Sequence, residues 1–186
     1  NMPFEGGSNG TFTRDYSGTN NSGIANGTVR GAVFNATAGI DFRGAYEFNG
    51  SILRNITTTS NNLNITNSFT VTVWVKPGVQ DNGGILEKTT DNAINTQWLL
   101  FEEGNTWFWR IHNTTTFVNL NGGAVTADRW YYLAAIKNTS GLFFYVNGAS
   151  VASDTTASVT GNTARGLSNQ RFFIGTLAQD IYPFNG

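Results

Sequence analysis

Few residues of this chain can do chemistry, and their spacing narrows what that chemistry is. One histidine, His112, and no cysteine exclude a zinc site of His and Cys ligands and leave no thiol nucleophile. Glu102 and Glu103 are adjacent in an alternating run, so on a strand they point to opposite faces. A retaining glycosidase needs two carboxyl groups about 5–5.5 Å apart on one face. Helical periodicity is absent, so no serine sits at a strand-to-helix elbow that would support a triad. What the chain carries instead is aromatic. Trp74 lies in "NSFTVTVWVKP" among threonines and a lysine; Trp98 precedes "TWFWRI", which holds Trp107, Trp109 and Arg110. An indole offers a flat apolar face and one N–H donor, which suits the C–H side of a sugar ring. The candidate glycan contacts are therefore Trp74, Trp98, Trp107, Trp109 and Arg110. Two readings stay open for each tryptophan: a stacking platform, or an anchor of core packing.

The elements that must position these groups are strands. Phe69, Val71, Val73 and Val75 alternate with Thr70, Thr72, Trp74 and Lys76, which is the period of a strand with one buried face. Trp107, Trp109 and Ile111 share one face of their segment, and Phe108 and Arg110 share the other. Similar runs broken by Gly, Asn and Asp predict strands near 45–48, 52–56, 62–65, 69–76, 84–88, 97–103, 106–111, 116–120, 130–137, 142–147, 149–153 and 171–175. Asn147-Gly148 marks a type I′ hairpin turn, so 130–153 reads as a three-stranded meander. Its apolar sets are Trp130, Tyr132, Ala134 and Ile136, then Leu142, Phe144 and Val146. Residues 1–44 hold little to bury and read as a long ordered loop pinned by Phe4 and by something around Asp15. Together this predicts an all-β chain, a two-sheet antiparallel β-sandwich, over residues 1–186 as one domain.

Composition limits the partners. The chain has 186 residues, 12% of them charged, and a net charge of −1. No basic run points to nucleic acid, and no apolar run is long enough to insert into a membrane. The absence of cysteine suits a cytosolic or a secreted protein alike, but few lysines and glutamates with many Asn and Thr lean towards an exported surface protein, in which case the chain is a mature or excerpted one. Asn-x-Ser/Thr sequons at Asn9, Asn20, Asn26, Asn35, Asn49, Asn55, Asn64, Asn113 and Asn138 are candidate glycosylation sites; an Asn/Thr-rich chain with idle sequons is the other reading.

Six segments in order carry a resemblance. They are Asp15-Tyr16-Ser17-Gly18 with Asn20, Asn21 and Gly23; Ala45-Tyr46-Glu47-Phe48-Asn49-Gly50; "SFTVTVWVKP"; Ile85-Leu86-Glu87-Lys88; Asp128-Arg129-Trp130 with Leu133-Ala134; and Tyr145-Val146-Asn147-Gly148. Together they resemble the laminin-G-like, concanavalin A-like jelly roll of bacterial and archaeal surface proteins. The resemblance implies a jelly roll with an outward-facing Trp74. It also implies a structural calcium ion, with Asp15 and Asn20 as first ligands and Asp180 closing the site; Asp81 and Asp91 form a second pair. The alternative for Asp15 is an Asx-turn to its own backbone. No organic cofactor is implied.

Members of that family run on past Phe-Asn-Gly with one more strand, whereas these residues stop at Pro183-Phe184-Asn185-Gly186. The resemblance therefore implies an exposed sheet edge and an uncovered apolar groove. Either the chain is cut short, or a neighbouring molecule supplies the strand. The expected function is a non-catalytic extracellular binding or adhesion module for a glycan or a surface protein. The alternative is a glycosylated filament or sheath subunit that assembles through that groove.

Overall fold

The computed structural model describes residues 2, 4, 8–15, 26–51, 53–59, 67–78, 82–90, 96–112, 116–156, 170–177 and 182–186. Its strands are β1 (Phe12–Thr13), β2 (Gly27–Arg30), β3 (Val33–Asn35), β4 (Ala45–Glu47), β5 (Asn55–Thr59), β6 (Phe69–Val75), β7 (Gly83–Thr90), β8 (Trp98–Glu103), β9 (Thr106–His112), β10 (Phe117–Ala124), β11 (Tyr131–Asn138), β12 (Gly141–Val146), β13 (Ala149–Asp154) and β14 (Gln170–Ile174). One sheet has the order β1-β2-β5-β14-β7-β8-β9-β10, a second β13-β12-β11-β6, and a third pairs β3 with β4. All strand pairs are antiparallel. This is the expected all-β sandwich.

The inward faces follow from alternation. β6 turns Phe69, Val71, Val73 and Val75 inward and leaves Thr70, Thr72 and Trp74 exposed. On β9 the buried set is Trp107, Trp109 and Ile111. The sheets meet through rings: Phe69 lies 5.9 Å from Trp98 and 6.1 Å from Trp109, and Tyr131 meets Trp107 at 5.3 Å. The meander 131–154 forms as expected. Asn147 and Gly148 both have positive φ, 53° and 82°, the pair that a type I′ turn requires.

Two expectations change. In β11 the buried face is Tyr131, Leu133 and Ala135, and the set Tyr132, Ala134, Ile136 faces outward. Both sets are apolar, so pattern alone does not choose between them. The stretch 1–44, read as a loop, contributes β1, β2 and β3; these strands are two to four residues long, below the length at which alternation shows. Phe4 does pin the segment, edge-on to Tyr46 at 5.0 Å, and the Asp15 N–H donates to Asn26 Oδ1 at 2.9 Å. The expected strand 62–65 lies outside the described residues, and that at 52–56 forms at Asn55–Thr59.

Lys88 sits opposite Trp98 and Phe172, fully buried. Burial lowers its pKa from 10.5 to about 8. Between those values the unfolded chain binds more protons than the folded one, so stability rises with pH across that window. The penalty is complete below pH about 8. Urea unfolding should therefore show a midpoint that climbs from pH 7.5 towards 9.5. Lys88→Met should raise the midpoint at pH 7.5 and flatten the climb.

Candidate functional site

The sandwich separates the tryptophans by face. Trp98, Trp107 and Trp109 are 6%, 0% and 0% exposed. They close the gap between the sheets and cannot stack on a sugar, which corrects their place among the glycan contacts. Trp74 is 47% exposed on the outer face of the four-stranded sheet, 5.1 Å from the ring of Tyr132 on the neighbouring strand. Among the described residues it anchors no second core.

Arg110 lies on the outer face of the eight-stranded sheet, and the structure surrounds it closely. Its guanidinium lies between two rings, 4.8 Å from that of Phe101 and 4.6 Å from that of Phe117. Asn119, directly across the β9–β10 ladder, accepts from Nε. Phe101 stacks on Phe108 at 5.3 Å. His112 meets Phe117 at 5.5 Å. Phe117 is 51% exposed, and Asn119 and Asn121 on the same face are exposed. Burial pushes the Arg110 pKa down, and Glu103 pushes it back up. Rings on two neighbouring strands and Asn119 at Nε hold the planar, charged fork, and Arg110 is half-buried. Sequence reasoning named Arg110 but missed Phe117 and Asn119, because their role depends on the β9–β10 register. Towards β7 and β14 the same face is buried, at Glu87, Leu99 and Phe173.

The carboxylates do not form a catalytic pair. Glu102 is buried and Glu103 exposed, on opposite faces of β8, as adjacency requires. Gly6-Gly7-Ser8-Asn9-Gly10 has the letters of a nucleophile elbow, yet Ser8 is buried, shares a hydrogen bond with Thr13 Oγ1 at 3.0 Å, and leads into β1.

A third feature is a groove of about 920 Å³ that opens where β6 and β4 face one another. Its floor includes Leu86, Trp98 and Phe172.

Of the calcium residues, Asn20 and Asp180, like Asp81 and Asp91, lie outside the described residues. Asp15 is buried, and its backbone N–H donates to Asn26 Oδ1. No cluster of three or more acidic or histidine side chains occurs among the described residues.

The sequons sort by environment. Asn9 and Asn49 are exposed, and Asn26, Asn35 and Asn138 are half-buried. Asn55 is 2% exposed and has no room for a sugar, which removes it from the candidates. Asn20, Asn64 and Asn113 lie outside the described residues. In Asn9, Asn35, Asn49 and Asn138 the side-chain oxygen accepts the backbone N–H two residues on. These are Asx-turns, so the same residues that spell a sequon also build a turn.

A family profile described as "Concanavalin A-like lectin/glucanases superfamily" matches residues 49–186. A search of curated protein sequences gave no match. Similar solved structures include domain 4 of AbnA, a GH43 extracellular arabinanase from Geobacillus stearothermophilus, in complex with arabinotriose: 16% identity, TM-score 0.57, over 90% of this chain and 81% of that one. Domains LG4-5 of the mouse laminin alpha1 chain give 16% identity and a TM-score of 0.57 over 75% of this chain. The match spans only 38% of that laminin chain. The Ruminococcus gnavus IT-sialidase CBM40 bound to alpha2,3 sialyllactose gives 15% identity and a TM-score of 0.55 over 67% and 74% of the two chains. At such identities the likeness is one of fold.

The burial pattern is checked by denaturant unfolding. Trp109→Ala should cost about 3–5 kcal/mol, and Trp74→Ala less than about 1 kcal/mol. Mass spectrometry of protein from a glycosylating host should find sugar at Asn9, Asn49 or Asn138 and none at Asn55.

Proposed function

The chain belongs to the concanavalin A-like lectin/glucanases superfamily, and on that premise we propose that it is a non-catalytic, extracellular module that binds an acidic glycan at the Arg110 face. The observation that carries this reading is the guanidinium held between Phe101 and Phe117 with Nε bonded to Asn119. Fixing a long side chain in advance lowers the entropy cost of binding. A planar fork matches a carboxylate or sulfate through two parallel hydrogen bonds. The exposed ring of Phe117 then takes the apolar side of the sugar, and the amides of Asn119 and Asn121 lie beside its hydroxyls. Two of the similar structures were solved with saccharides, arabinotriose and sialyllactose; these support a glycan as the ligand class.

Binding to uronate-containing, sialylated and neutral oligosaccharides, read by calorimetry, tests this. Acidic glycans should bind, and Arg110→Gln should weaken them at least about tenfold, which is the loss of roughly 1.4 kcal/mol. Phe117→Ala should weaken acidic and neutral ligands alike. If Trp74→Ala abolishes binding while Arg110→Gln leaves it intact, the site lies on the four-stranded sheet and this assignment fails.

A further inference from the structure

The outward residues of β9 and β10 pair in three rungs: His112 with Phe117, Arg110 with Asn119, and Phe108 with Asn121. Successive rungs on one face lie about 6.8 Å apart, so the three span about 14 Å. Arg110 holds the middle rung. Flat groups follow one another from Phe108 through Phe101, Arg110 and Phe117 to His112, at 5.3, 4.8, 4.6 and 5.5 Å. The cation therefore has a ring on each side of it along the strand direction. Phe108 is half-buried and Phe117 exposed. Thr116 and Gly123, at the two ends of the strip, are exposed, and β10 is the outermost strand of its sheet. Past Asn121 the β9–β10 register shifts, a bulge that ends the regular rungs.

The polar groups of the strip are of one kind. Asn119 Oδ1 accepts from Arg110 Nε, and Asn121 Oδ1 accepts from the Gly123 N–H at 2.8 Å. Both partners can only donate, which fixes the orientation of each amide. Each amide then has its NH2 to offer, and a guanidinium likewise offers only donors. A positive charge thus stands mid-strip, with amide donors on its own rung and on the next. The ligand that matches these groups carries an anionic acceptor at its middle and acceptor oxygens beyond it. An acid at the end of a chain leaves the ring on one side of Arg110 without a sugar to cover it.

We propose that the Arg110 face binds an internal acidic residue of a linear polysaccharide, laid along β10 with a neighbouring sugar on each side. The acid group meets Arg110 and Asn119. One neighbour lies over Phe117, and the other beside Phe108 and the Asn121 NH2. This rests on the assignment of the Arg110 face to an acidic glycan and adds where in the glycan the acid stands.

The test is calorimetry with three β-linked trisaccharides, each made in a gluco and a galacto series. The first has a uronate between two neutral hexoses, the second a uronate at the non-reducing end, and the third neutral hexoses throughout. In the series that binds, the first should bind at least about tenfold more tightly than the second, and the third most weakly. Phe108→Ala should bring the first down to the level of the second. It should leave the second unchanged, which also shows that the variant folds. Asn121→Asp keeps an acceptor for the Gly123 N–H but replaces the donor by a negative charge; it should weaken the first at least about fivefold. Equal affinity for the two acidic trisaccharides, each lost in Arg110→Gln, leaves the acidic-glycan face standing and overturns the internal placement. Tighter binding of the terminal acid overturns it too, as does a first ligand that neither Phe108→Ala nor Asn121→Asp weakens. If no acidic trisaccharide binds, or Arg110→Gln weakens neither, the assignment of the face itself fails and the internal placement with it.

Discussion

The structure depends on a layer of inward-facing rings. Phe69 and Tyr131 come from the four-stranded sheet; Trp98, Trp107, Trp109 and Phe172 come from the eight-stranded one. Trp98 meets Trp109 at 5.7 Å and Phe172 at 5.8 Å. Such side chains bury about 150–250 Å² each, which allows a chain with only 12% charged residues and no disulfide to hold its sheets together. They also fix the register, because sliding a strand by one residue would send its tryptophans to solvent. Once they are inside, everything available for recognition is outward or at an edge.

At the proposed glycan face, on the eight-stranded sheet, the functional group is a side chain. Arg110 is useful because strand pairing brings Phe101, Phe117 and Asn119 around it, so its orientation is set by three strands at once. Salt should weaken binding there, because screening weakens charge pairing at an exposed surface.

The asparagine-rich composition has a structural origin as well. Asn9, Asn35, Asn49 and Asn138 each cap a turn through their own side chain. At Asn9 and Asn35 the hydroxyl of the threonine two positions on also donates to the same side-chain oxygen, so these sequons coincide with turns that their own side chains close. Asn55 shows the limit of reading sequons as sugar sites: it lies in β5 and is buried.

Alternation in the sequence was enough to specify the sandwich, the strands from β6 to β13, the meander and the Asn147-Gly148 turn, because a two-residue period and a turn dipeptide are local properties. It also separated Glu102 from Glu103 and placed Trp107 and Trp109 on the face opposite Arg110. It did not say which face was the inner one. In β11 both faces are apolar, and in the β8–β9 pair both are aromatic, so the choice belongs to whichever neighbour covers them. Residues 12–35 showed no strand signal because pairs of two to four residues are held by their partners rather than by their own pattern. The Arg110 clamp and the groove between β4 and β6 are likewise tertiary: each joins residues that are distant in the chain, brought together by strand order that no local pattern encodes.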